Sequence, residues 1–295
     1  MRAFLLFCPY WLLLTNCLAQ ESRRERLDSL YAIPFQSPTV TAIVLPKGYL
    51  EFNNTASLQT AKRLFNGEVR LEDLNARVST FSDLLQITYG ISPTGRFNLG
   101  MDFQYNRFRV DLDPASSPWK VFGGDSALSQ NGALSTVGVR FRWKPKGLLN
   151  ARQFVVQGFL YQPVYKPRES QTSLRLQAVY VFDLGPYLYL YAQAGVGYAL
   201  PKNRISGSLS VPVTAVWQYQ LQPTISLLGV ITHTTAFGKS GEEALRLTAF
   251  GTQLGGGLQV QPSLRIGINV FYTRYLLGKN TGVYDTITLG VRSII

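Results

Sequence analysis

Phe97-Asn98-Leu99-Gly100-Met101-Asp102-Phe103-Gln104-Tyr105-Asn106 alternates in character without a break. Phe97, Leu99, Met101, Phe103 and Tyr105 fall on one face of an extended chain, and Asn98, Gly100, Asp102, Gln104 and Asn106 fall on the other. A period of two is that of a strand with one apolar face. A helix would scatter the amides and the carboxylate around its circumference, so the helical reading fails. The stretch has the length of about 9–11 residues that a tilted strand needs to cross a bilayer, whereas soluble strands average nearer ~6.

The same alternation recurs on both sides of this stretch. Val137, Val139, Phe141 and Trp143 oppose Thr136, Gly138, Arg140 and Arg142. Leu174, Leu176, Ala178, Tyr180 and Phe182 oppose Arg175 and Gln177. Val211, Val213, Ala215, Trp217 and Tyr219 oppose Pro212, Thr214, Gln218 and Gln220. Leu264, Ile266, Ile268, Val270 and Tyr272 oppose Arg265, Gly267, Asn269 and Thr273, and Ile287, Leu289 and Val291 oppose Thr286, Thr288, Gly290 and Arg292. Weaker versions occupy Tyr49–Gln59, Leu84–Ile91, Phe154–Tyr161, Leu188–Tyr198 and Ile225–Thr232. Arg246–Val260 changes phase part-way, which requires a one-residue bulge, expected near Gly251 or Gly255–Gly257. Tyr89, Tyr105, Trp143, Tyr161, Tyr180, Tyr219 and Tyr272 stand near segment ends, where interfacial aromatic girdles sit.

The bulk composition points the same way. Hydrophobic residues make up 46% of the chain and charged residues 16%, against roughly 25% charged in a soluble domain. Past the N-terminus no apolar run approaches the ~18 residues of a membrane helix, and Ile225–Ile231 is among the longest. In lipid every backbone group must bond internally, so the alternative to helices is a closed barrel. The twelve segments are joined by short links (Ser92–Gly95, Lys144–Gly147, Asp183–Pro186, Gln222–Pro223, Gln261–Ser263) alternating with longer ones such as Asp111–Gly132 and Ala236–Glu243. The expectation is an all-β, transmembrane, antiparallel up-and-down barrel of about twelve strands, with short periplasmic turns and longer outer loops. A soluble β-sandwich also alternates, but its outer face would carry a solvated mix of Lys and Glu rather than these small and amide residues.

Residues 1–19 read as a secretory signal: Arg2, an apolar Ala3–Leu14, and small residues before Gln20. A rival reading makes Cys17 a lipid-attachment site. Residues 20–47 form a periplasmic N-terminal segment and residues 48–295 the barrel. Cys8 and Cys17 both lie in the signal, so the mature chain has neither disulfide nor Cys-based metal site. The net charge of +12 comes from singly scattered basic residues, with one cluster at Arg23–Arg26, and does not argue for nucleic acid. The expected location is the cell outer membrane, and the expected partners are its lipids, the outer-membrane insertion machinery and a small-molecule solute. A monomer is expected.

Ser37-Pro38, Pro46-Lys47-Gly48 and Glu51, within Gln36–Phe52, and the phrase Leu85–Ile91 before a tight turn and a long strand, carry a resemblance. In these features the chain resembles outer-membrane barrels of the phenol-degradation (MetA-pathway) transporter family. It departs from that pattern in lacking an Asp-Arg-Pro start and in ending on Ile295 rather than an aromatic. The resemblance implies a barrel that passes small, hydrophobic or aromatic compounds.

Chemistry-bearing residues are few. The one histidine, His233, sits in Thr232–Thr235 with no Gly-x-Ser-x-Gly motif anywhere, so no catalytic residue is expected. One His and no mature Cys leave no metal site, and Gly195–Gly197 and Gly251–Gly257 lack the Lys-Ser/Thr of a nucleotide loop, so no cofactor is expected. The informative polar set is the expected lumen wall: Arg140, Arg142, Arg175, Arg246, Arg265 and Arg292 against Glu51 and Asp102. A guanidinium facing lipid costs about 2–4 kcal/mol at the midplane, so these groups should face the lumen. Two readings stay open: a pathway lined by cations and preferring anions, or a plug in which the arginines pair with acids. Closure of the barrel should bring Glu51 and Arg292 to one depth as a salt bridge. The corresponding functions are a passive channel for small solutes, or a structural or adhesion barrel with a plugged lumen.

Overall fold

A strand with one apolar face satisfies its backbone in lipid only when both of its edges are paired. The computed structural model, which describes residues 43–123, 129–146, 154–165, 171–202, 207–238, 246–263 and 265–295, meets that condition with twelve strands. They are β1 (Leu50–Phe65), β2 (Leu71–Gly90), β3 (Phe97–Asp111), β4 (Ser129–Trp143), β5 (Phe154–Pro163) and β6 (Ser173–Gly185). The second half comprises β7 (Leu188–Ala199), β8 (Ser208–Gln222), β9 (Ile225–Gly238), β10 (Arg246–Ser263), β11 (Ile266–Lys279) and β12 (Thr281–Ile294). Every neighbour is antiparallel and sequential, and β1 pairs with β12 from Glu51↔Ile294 to Phe65↔Thr281, so the described sheet closes on itself. The expected signal, the lead up to residue 42, Leu264 and Gly147 lie outside the described residues.

Alternation sorts the side chains as expected. Leu99, Met101, Val139, Phe141, Leu174, Leu176, Val270 and Tyr272 are all exposed on the outer wall, where lipid would meet them. Tyr161 is an exception to the aromatic girdle. It pairs with Gly138 on the lumen face, and its hydroxyl donates to Asp102 Oδ2 at 2.9 Å. A Cβ on Gly138 would lie 2.5 Å from the Tyr161 ring, so the missing side chain makes room for it.

One end of the barrel carries tight links, such as residues 186–187 and 223–224, and is called the turn end; the other is the loop end. Strands overrun the membrane requirement at the loop end: β2 has 20 residues and β10 has 18. The β11–β12 connection shrinks to Asn280, which adopts φ 49°, where a longer loop was expected. β10 bulges at Thr248, between the pairs Leu247↔Phe237 and Ala249↔Ala236, and its ladder with β11 also shifts between Thr252 and Gln253, beside Gly251, but not at Gly255–Gly257. Gly255 and Gly257 serve close approach instead, since a Cβ on either would lie 2.0 Å from a backbone oxygen of β11.

The long β3–β4 connection does not fold into the lumen as a constriction over its described part. Its 3-10 helix, Pro118–Phe122, is capped by the Ser117 hydroxyl, which accepts from the Trp119 N–H. The helix lies on the outer wall, where Phe122 meets Phe81 with ring centroids 4.8 Å apart. Phe81 shares its row with Ile87 and Tyr89, whose β3 partners Met101 and Leu99 are exposed. Val121 and Leu58 are buried beneath this contact, while Leu112 and Trp119 remain exposed.

Candidate functional site

The lumen is layered, and the layer nearest the turn end is charged. Glu51 on β1 is fully buried and takes two arginines. Arg292 on the adjoining β12 donates from Nε (3.2 Å) and Nη2 (3.0 Å) to Oε2, the pair expected from closure. Arg142 reaches across from β4, with Nη1 2.8 Å from Oε1, and its Nε donates to Gln157 Oε1 at 3.1 Å. Arg140, also buried, has Nη2 3.3 Å from Asp102 Oδ1 and 2.6 Å from Thr88 Oγ1. Gln86 links Asp102 to Asn53. Two acids thus hold three cations out of water. Buried charges persist only when paired and hydrogen-bonded, and breaking such a group costs more than forming it gains.

Around and beside this cluster the lumen face is filled. Gln177, Gln218, Gln259 and Asn269 are buried there, and Val179, Val181, Tyr189, Tyr191 and Val216 form an apolar cluster on the β6–β8 side. The segment preceding β1 completes the obstruction. Leu45 is fully buried and packs with Ile43 and Ile294, the latter on the lumen row of β12. Asn98, on the lumen face of β3, grips Leu45 by both backbone groups: its Oδ1 accepts from the Leu45 N–H at 2.7 Å and its Nδ2 donates to the Leu45 carbonyl at 2.8 Å. Gly90 makes this approach possible, because a Cβ there would lie 1.9 Å from the Pro46 carbonyl oxygen. Gly48 then turns the chain into β1 at φ 89°. Further toward the loop end a cavity of about 300 Å³ opens on the β1 and β7–β12 side.

The other arginines lie elsewhere. Arg175 occupies the lumen row of β6 on the loop side, 6.0 Å from the Tyr161 ring centre. Arg246 is exposed at the first residue of β10, on the loop-end rim, and Arg265 lies in the β10–β11 turn. Both were expected on the wall, but the strands end short of Arg265 and begin at Arg246, so water at the rims can solvate them. His233 faces outward on β9, with Nδ1 2.8 Å from Thr252 Oγ1 and Nε2 3.0 Å from Thr235 Oγ1. Both of these ring contacts are hydroxyls, not the acid that a triad would place there. Among the described residues no group of three or more His, Cys, Asp or Glu is placed to hold a metal.

Sequence reasoning located Glu51, Asp102, Arg140, Arg142 and Arg292 but missed Leu45, Asn98, Tyr161 and the glutamines. The signal for Asn98 and the glutamines was present in the polar half of the alternation. For Leu45 there was none, because a single leucine before the first strand has no period.

Neither a protein-family model nor a curated protein sequence matches the chain. Solved structures do match. An outer membrane channel from Pseudomonas putida F1 superposes with a TM-score of 0.62 at 16% identity, over 86% of this chain and 97% of that one. The β domain of the Bordetella autotransporter BrkA superposes with a TM-score of 0.54 at 11% identity, over 83% of this chain and 98% of that one. The chain has the fold of an outer-membrane β-barrel. At these identities the likeness is one of architecture.

Proposed function

We propose that this barrel is an outer-membrane channel for small solutes, held shut at its periplasmic end by the Ile43–Lys47 segment and the charged layer above it. The turn end is taken as periplasmic because short turns lie there in bacterial barrels. The observation that carries the reading is the contrast between the two halves of one lumen: a solvent-sized cavity toward the loop end, and buried side chains toward the turn end. A barrel needed only as a structural element has no use for a hollow half. The likeness to a protein described as an outer membrane channel supports the reading, as does the family resemblance so far as it implies passage of small compounds. The arginines argue less for anion preference than their number suggests, since Arg140, Arg142 and Arg292 are each held by a carboxylate.

Full closure favours a second reading, the structural or adhesion barrel with a plugged lumen. Single-channel recording of the refolded chain separates the two. Gly90→Ala drives a methyl group into the Pro46 carbonyl, and Asn98→Ala releases both bonds to Leu45. The channel reading expects rare, small openings in the parent and conductance raised several-fold in both variants. A folded barrel that stays silent in all three forms would favour the plug.

A further inference from the structure

The cavity toward the loop end has a chemistry that neither the charged layer nor the family resemblance explains. No residue that lines it carries a charge. One wall is polar and uncharged, with Thr55, Ser57 and Gln59 on β1 beside Thr288, opposite Ser57, and Thr286, opposite Gln59, on β12. Across it stand the amides Gln193 and Gln253. Thr214 and Thr232 satisfy each other at 3.1 Å, and Thr273 donates to Gln253 at 3.1 Å. Each hydroxyl offers one donor and two acceptor positions, so these pairs leave capacity unused. Two buried polar side chains on this side of the barrel add to that capacity. Thr286 lines the cavity, and its hydroxyl is buried with no hydrogen-bond partner among the described residues. Asn269, one lumen step below Phe271 on β11, is 1% exposed and has no partner for either amide atom among the described residues.

A third wall is apolar and smooth. Val216 and Val230 are directly paired, and Phe271 stands two strands away from Val230. Between them β10 presents Gly255 opposite Val230 and Gly257 opposite Phe271, so no side chain interrupts the surface. The space therefore combines an apolar side with neutral donors and acceptors around it. An ion entering it would be desolvated without a counter-charge. A wholly apolar molecule would strand the hydroxyls and amides, which costs more than its own burial returns.

We propose that this cavity is a binding site for an uncharged, polyhydroxylated solute of about monosaccharide size, its C–H face on Val216, Val230 and Phe271 and its hydroxyls on the threonine and glutamine walls. The assignment rests on the channel reading and names the class of solute the channel selects.

The test uses the refolded full barrel in lipid nanodiscs, with D-glucose as the probe and gluconate and phenol as charged and apolar competitors. Saturation-transfer NMR is expected to show saturable glucose binding that neither competitor displaces. Thr286→Val and Thr288→Val are each expected to weaken it about five- to tenfold, as loss of one buried hydrogen bond does. Absence of saturable glucose binding by the parent barrel overturns the proposal, as does displacement by phenol or gluconate at equal or lower concentration. Swelling of proteoliposomes in glucose distinguishes the two levels. Glucose that permeates without saturable binding overturns this site and leaves the channel standing. Glucose that binds but does not permeate, even in the Gly90→Ala barrel, keeps the site and overturns the channel.

Discussion

Glu51 shows how one side chain can hold a lumen together. Its two carboxylate oxygens serve guanidinium groups from strands on different sides of it, Arg292 on the neighbouring β12 and Arg142 on β4. Replacing it by Gln leaves two buried cations without their anion, and breaking a buried pair in this way costs about 3–5 kcal/mol. Urea titration of the folded barrel is expected to show that loss for Glu51→Gln, with much of it restored when Arg142→Met and Arg292→Met are added. A midpoint unchanged by Glu51→Gln would mean that the cluster contributes nothing to stability. The Glu51–Arg292 half of this group was legible in the sequence, because parity gives the face of each residue and closure brings the first and last strands to one depth. The Arg142 half was not. Periodicity fixes where a side chain points but not how far across the lumen it must reach, and that distance depends on strand number and tilt. Arg246 and Arg265 were misplaced for a related reason: a one-residue error at a strand end moves a side chain from the wall to the rim.

At the scale of elements, the strands were legible and their connections were less so. Alternation persists wherever one face meets lipid and the other does not, which is why Phe97–Asn106 could be read unaided. Beyond the membrane that constraint lapses, so the overrunning ends of β2, β10 and β11 carried no pattern to read. The irregularity of β10 was visible as a change of phase, but of the glycines offered for it Gly255 and Gly257 instead allow close approach to β11. The Pro118–Phe122 helix was hidden altogether. Its hold on the wall comes from Phe122 against Phe81, a contact between segments far apart in sequence. With Trp119 exposed beside the lipid-facing row, the helix is placed to anchor in the interface. In a mature chain carrying Trp143→Phe and Trp217→Phe, Trp119 fluorescence is expected to be quenched more by lipids brominated near the headgroup than by those brominated at the chain terminus. Equal quenching, or none, would place the helix away from the interface.

Little of the molecule's net charge lies in its lumen, where three cations stand against two acids and Arg175 adds one more on the loop side. The chain carries +12, yet the buried layer pairs Glu51 and Asp102 with Arg140, Arg142 and Arg292, and the cavity beyond is neutral. Once the Ile43–Lys47 segment is displaced by Gly90→Ala, the pore is expected to discriminate weakly between ions, with a reversal potential near zero in a tenfold salt gradient. A strongly anion-selective potential would restore the arginines as an open ring.

The Glu51–Arg292 contact joins residues 241 apart in the chain, and it belongs to the closing seam of β1 and β12 in a topology otherwise built from neighbouring hairpins. Loop-closure entropy disfavours such a contact until nearly everything between is in place. Until then β1 and β12 are raw edges in a medium that offers their amides nothing, and the carboxylate and guanidinium face each other across a gap. Sealing the backbone and cancelling the charge therefore fall in one late step of assembly. A chain that stalls before it carries a hydrogen-bonding defect and an electrostatic one together, and such a defect marks the intermediate as unfinished within the membrane itself.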